Sequence, residues 1–112
     1  MSTLPQTNLS VIDMYRGADF IRGVTAAEIE GSPDSFLSYS MNAQMRKNFE
    51  SGKYWEFSLV KKEDSFVIFM DAEKTKTIPP GYYNYDIMLT HVTGVRSLLY
   101  HGKVNVIPTY TD

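Results

Sequence analysis

The sequence predicts an all-β domain, an antiparallel β-sandwich of about seven strands. Three observations predict it. Short stretches alternate apolar and polar residues with a period of two, the mark of a half-buried strand. Turn-forming residues separate those stretches, among them Tyr15-Arg16-Gly17, Gly31-Ser32-Pro33, Ser51-Gly52, Glu63-Asp64, Pro79-Pro80-Gly81 and Thr93-Gly94. The composition also suits strands: 13% of residues are aromatic, with Tyr 8 times.

Residues 1–8, MSTLPQTN, are polar, small and Pro-containing, and read as an N-terminal arm before a sandwich domain of residues 9–112. The arm has too few apolar side chains to offset backbone ordering, which costs roughly 1–2 kcal/mol per residue. It is expected to be disordered in the isolated chain and held by a neighbouring chain, the alternative being that it packs as an edge strand on its own domain. Leu9–Met14 is a short strand, with Leu9 and Val11 alternating against Ser10 and Ile12. Asp19–Ala26 is the next, with Phe20 and Val24 inward and Gly23 marking a bulge or a close backbone approach. A helical turn competes for Ala26–Glu30. Phe36–Lys47 follows, with Tyr39, Met41, Ala43 and Met45 opposite Ser40, Asn42, Gln44 and Arg46.

Tyr54–Val60 places Trp55, Phe57 and Leu59 on one face, and Ser65–Asp71 is the strand after it. Ala72–Lys76 is too short for an independent helix and reads as one helical turn. Tyr82–Thr90 sets Tyr83, Tyr85, Ile87 and Leu89 against Tyr82, Asn84, Asp86, Met88 and Thr90. After the Thr93-Gly94 turn, Ser97–Ile107 carries Leu98, Tyr100, Gly102, Val104 and Val106 on one face. These last two strands are expected to form an antiparallel hairpin in one sheet.

At 112 residues and a formal net charge of −2, the chain fits one soluble domain. Its basic residues are scattered, which speaks against nucleic acid as a partner. No apolar run approaches the ~18 residues of a membrane span, and MSTLPQTNLS does not read as a secretory signal. Cys is absent, so no disulfide or thiolate metal site is expected. No phosphate-binding glycine loop, nucleophile elbow or paired carboxylate stands out, so a non-enzyme without cofactor or metal is expected.

His91 and His101 flank the hairpin turn and offer a metal pair or pH switch. With no third ligand evident, two ordinary surface histidines are the better reading. Trp55, with Tyr54 and Phe57, is either an aromatic patch for a sugar or partner, or a core residue, and the core reading is preferred. Tyr82, Met88 and Tyr100 offer an interface surface. Tyr100 cannot be both inward and exposed, and the sequence does not decide.

Gly81-Tyr82-Tyr83-Asn84-Tyr85 resembles the corner that opens strand F of immunoglobulin-like sandwiches. Tyr83 takes the corner Tyr position and Tyr85 the usual Cys position. The resemblance implies a Tyr83 hydroxyl bonded to a backbone carbonyl. Residues ~9–108 are also similar to an immunoglobulin-like module of tailed-phage virion proteins, found at the N-terminus of upper-baseplate proteins. The segments that carry this are Tyr15-Arg16-Gly17-Ala18-Asp19-Phe20-Ile21-Arg22, Gly31-Ser32-Pro33, Met41–Arg46, Pro80–Thr90 and Gly94–Val106.

That resemblance implies a structural component of the tail, baseplate or fibre-attachment region of a virion. Its partners would be other virion proteins, and it would be a homo-oligomer or multi-copy. It has no catalytic residues to carry over. The alternatives are a capsid-decorating protein and a carbohydrate- or cell-surface-binding sandwich.

Overall fold

The computed structural model describes residues 9–48 and 52–110. The arm, and the expectation attached to it, lies outside the described residues. The strands are β1 (Val11–Tyr15), β2 (Phe20–Thr25), β3 (Tyr39–Arg46), β4 (Trp55–Lys61), β5 (Ser65–Met70), β6 (Gly81–His91) and β7 (Arg96–Ile107). Short 3₁₀ turns occupy Ala26–Glu28 and Phe36–Ser38, and α1 spans Ala72–Thr75.

The strand order is β1-β7-β6-β3-β4-β5-β2. It divides within β4. Trp55, Glu56 and Phe57 pair with β3, while Ser58 to Lys61 pair with β5. One strand thus belongs to two sheets, a larger one (β1-β7-β6-β3-β4) and a smaller one (β4-β5-β2). Such a switch is how sandwich corners are made. With β3, β6 and β7 in the places of strands C, F and G, and β2 and β5 in those of B and E, this is an immunoglobulin-like sandwich. One pairing departs from a wholly antiparallel sandwich: β1 runs parallel to β7.

The core lies between the inward faces. Ile12, Met14, Met45, Phe66, Ile68, Ile87, Val104 and Val106 are fully buried there. Phe57 stands 5.8 Å from Phe20 of β2 and 6.2 Å from Tyr85 of β6, so its ring bridges the sheets. Phe36, from the 3₁₀ turn, meets Phe66 edge-on at 5.1 Å. Aromatic pairs of this kind add about 0.5–1.5 kcal/mol beyond the area they bury.

Four expectations of pattern are corrected. Ile12 and Met14 face inward in β1 and Val11 faces out, while Leu9 is buried from the turn before the strand. Gly23 makes no bulge: β2 pairs with β5 in unbroken register, and nothing lies within 4 Å of where a Gly23 Cβ would sit. The strand expected from Phe36 begins at Tyr39, because Ser35 caps a 3₁₀ turn by accepting from the Leu37 N–H. In β7, Ile87 faces Tyr100 but Met88 faces Leu98. Leu99 is therefore a bulge residue, and beyond it the faces exchange. Leu98 points outward at 52% exposure, and Leu99 packs against the core.

Gly102 shows how closely β1 approaches. A Cβ there would lie 2.9 Å from the Ser10 carbonyl oxygen and 2.9 Å from Tyr85 Cε1. The Ser10 carbonyl also accepts from the Lys103 N–H at 2.8 Å, so the backbone cannot retreat without losing that bond. Gly102→Ala is expected to destabilise by roughly 1–3 kcal/mol, the usual cost of overpacking. Gly23→Ala, with open space at its Cβ, should lose nothing measurable. Urea denaturation of the two variants checks both.

Candidate functional site

The predicted corner is built as follows. Gly81 sits at φ +137°, a conformation that L side chains rarely adopt. The chain then enters β6, and Tyr83 turns inward, 4% exposed. Its hydroxyl donates to the Pro79 carbonyl at 2.6 Å. Its ring meets Trp55 edge-on at 5.6 Å, and the Lys47 ammonium lies 4.9 Å from its centre. Burial pushes the Tyr83 phenol above its ordinary pKa, with the Arg16 charge opposing.

Tyr85, two residues on, is 2% exposed, and its hydroxyl donates to the Leu9 carbonyl at 2.5 Å. It ties the turn before β1 to the middle of β6. Burial, reinforced by the Tyr100 phenol and opposed by Arg22, pushes its pKa far up.

Beside the corner lies a cluster that sequence reasoning missed. Thr75, at the end of α1, is fully buried and polar. Its hydroxyl accepts from the Gly17 N–H at 3.0 Å and donates toward the Ala18 carbonyl at 3.0 Å. Arg16 donates to the Lys76 carbonyl at 2.7 Å, and the Asp19 carboxylate accepts from the Ala72 N–H at 2.7 Å. Asp71 caps α1 by accepting from the Lys74 N–H at 3.0 Å. Thr109 donates to the Arg16 carbonyl at 2.9 Å. The Tyr15–Asp19 turn, α1 and the segment after β7 are thus clasped together. The available signal was the capped turn Asp71-Ala72-Glu73-Lys74-Thr75, but its partners lie more than 50 residues away and leave no local trace.

The outward face of the larger sheet carries the predicted interface residues. Tyr82 is 59% exposed and Met88 is partly buried, both on the outward side of β6. Between them runs a shallow groove of about 490 Å³, bordered by Gln44, Arg46, Asn84, Asp86 and His101. It continues past Asn42, Met88 and Arg96. Lys103 donates to Asn84 at 3.0 Å, and Arg46 donates to Gln44 at 3.1 Å and lies over the Tyr54 ring at 5.2 Å. The face is polar and charged, with Tyr82 at its end and the Tyr54 ring beside Arg46. Tyr100 does not join it; its ring packs inward, 6.3 Å from Tyr85.

The two histidines are not brought together. His101 faces Asp86 across the hairpin, whereas His91 faces Tyr39 on β3. Asp86 and His91 are separated along β6 by roughly 17 Å at about 3.4 Å per residue. His91 Nδ1 instead lies 3.0 Å from the Thr93 hydroxyl in the turn. No group of metal-ligating side chains occurs among the described residues. Trp55 is 9% exposed, and its Nε1–H donates to the Thr77 hydroxyl at 3.1 Å. It is a core residue and offers no platform to a sugar.

No protein-family model matches the chain, and no curated protein matches it. Among solved structures, the chain is similar to a titin I27 domain mutant solved by solution NMR. The likeness covers 100% of this chain and 95% of that one, at 8% identity and a TM-score of 0.46.

Two predictions follow from the corner and the clasp. Thr75→Val leaves the Gly17 N–H and the Ala18 carbonyl without their side-chain partner, and should cost about 1–3 kcal/mol. Tyr83→Phe removes one bond and leaves one acceptor, and should cost about 1 kcal/mol. Chemical denaturation ranks the two.

The buried phenols also set an alkaline limit. Above the ordinary Tyr pKa of about 10, the unfolded chain sheds phenolic protons that Tyr83 and Tyr85 retain in the fold. The unfolded state then binds fewer protons, so stability falls as pH rises. Below about pH 9 these groups contribute no slope. Urea midpoints from pH 8 to 11 should decline above about pH 10, and less steeply in Tyr85→Phe.

Proposed function

We propose that this chain is a structural docking module of a tailed-phage virion, in the tail, baseplate or fibre-attachment region. It acts by binding neighbouring virion proteins, without chemistry. The observation that supports docking is the outward face of the larger sheet. Tyr82 at one end and Met88 toward the other flank a shallow polar groove on a rigid β-surface. Tyr and Met are enriched in interfaces because they bury large areas while adapting to a partner's shape. The virion assignment rests on the sequence resemblance of Tyr15–Arg22, Pro80–Thr90 and Gly94–Val106. In the fold, those segments supply the clasp turn and the β6–β7 hairpin.

The reading places the protein in particles as a multi-copy component. Mass spectrometry of gradient-purified virions of the encoding phage should find it at a fixed ratio to known tail proteins. Tyr82→Asp, which alters an exposed side chain, should fold normally yet be depleted from particles. Absence of the wild-type chain from purified particles would sink the proposal.

A further inference from the structure

The smaller sheet ends at β2, whose outer side has no strand among the described residues. Such an edge presents unpaired N–H and C=O groups and is a ready template for another chain. Alternation in an antiparallel ladder says which groups these are. The Ala26 N–H donates to the Asp64 carbonyl, just before β5. Phe20, Arg22 and Val24 therefore turn their backbone groups to β5, and Ile21, Gly23 and Thr25 turn theirs to the free side.

Two of those free-side groups are already taken. The Gly23 carbonyl accepts from the Arg22 guanidinium. The Thr25 N–H donates to Glu28 Oε2 at 2.9 Å. A second guanidinium nitrogen donates to Glu28 Oε1 at 2.9 Å, so the two side chains are joined across the edge. A strand added in either direction would need both the Gly23 carbonyl and the Thr25 N–H.

The local sequence makes this arrangement possible. By alternation Arg22 lies on the inward side of β2, with Phe20 and Val24. Its side chain is only 16% exposed, with the apolar stem covered and the charged head reaching round to the edge. The 3₁₀ turn at Ala26–Glu28 brings Glu28 back to Thr25. Inward-pointing charge is a device by which edge strands resist pairing.

We infer that Arg22 and Glu28 form a strap that shuts the β2 edge against strand addition. Capping alone would account for Glu28, since Thr25 and Glu28 make a capping box for the turn. It does not account for Arg22, whose bond to the Gly23 carbonyl lies outside the turn. A partly exposed ion pair adds little stability, so the effect of the strap lies in occupying the edge. The strand it covers is otherwise suited to pairing: Phe20, Ile21, Val24 and Thr25 favour strands, and no proline interrupts them. With the strap removed, the partner at hand in a pure solution is β2 of a second copy, joined edge to edge. The inference concerns the purified chain and does not rest on the virion reading.

Sedimentation velocity and amide hydrogen exchange, both from about 0.1 to 1 mM, test it on the wild type, Arg22→Met, Glu28→Ala and Glu73→Ala. Arg22→Met keeps an apolar stem and removes the donors. Glu28→Ala removes the acceptors. Glu73 is exposed in α1, and Glu73→Ala removes the same charge away from the edge as a control. The expected result is a weight-average mass that rises roughly twofold or more with concentration in the Arg22 and Glu28 variants alone. In those variants the Ile21 and Gly23 amides, which face the free side, should exchange about tenfold more slowly as the mass rises. Circular dichroism and thermal melts establish which variants are folded, and either edge variant suffices for the test. Folded edge variants that stay monomeric at about 1 mM overturn the inference. So does association that leaves the Ile21 and Gly23 amides as fast as in the wild type, and so does a wild type that already protects them as its concentration rises.

Discussion

The structure depends on the passage of β4 from one sheet to the other. Ala43 faces Phe57 on the first side of the switch, and Ser58 faces Phe69 on the second. The strand closes one side of the sandwich covalently, so the two sheets cannot separate there without breaking ladder bonds. Phe57 occupies the turning point, with Phe20 and Tyr85 on either side of it. Once that ring is buried, the inward phase of β2, β3, β5 and β6 follows, because a one-residue slip would turn every core side chain to water. The outward faces are what remains.

At the pole of the sandwich, a different economy applies. α1 has a single turn and gains little from its own hydrogen bonds. It is held by polar groups from distant segments: Asp19 on the Ala72 N–H, Arg16 on the Lys76 carbonyl, and Thr75 between Gly17 and Ala18. A buried hydroxyl is tolerated because both its donor and acceptor roles are filled. Tyr83 and Trp55 repeat the arrangement, each burying a ring while its polar atom finds the Pro79 carbonyl or the Thr77 hydroxyl. The Tyr15–Asp19 turn makes several of these bonds.

The two outward faces divide along chemical lines. The larger sheet is grooved and polar, with charged groups spaced among amides and Tyr82 beyond them. The smaller carries Ile21, Val60, Val67 and Phe69 beside the hydroxyls of Thr25, Ser58 and Ser65, with Lys62 paired to Ser65 at one end. A surface of the first kind favours specific, charge-matched contacts.

The sequence by itself determined the all-β class, nearly every strand and the hairpin of β6 and β7. It also determined the inward set Tyr83, Tyr85, Ile87 and Leu89. Those features are local: period-two alternation and turn residues act within a few positions. It also placed Tyr82 and Met88 on one side of β6, since alternation assigns sides without reference to partners. The tertiary structure alone decided the parallel partner of β1, the switch within β4, the Leu99 bulge that turned Leu98 outward, and the separation of His91 from His101. It alone decided Thr75, whose hydroxyl is satisfied by residues 57 and 58 positions away. It also turned Val67 and Phe69 to the outward side of β5, where they are partly buried. In SFVIFM both faces are apolar, so periodicity carries no information about which one meets the core, and only the register with β2 and β4 settles it.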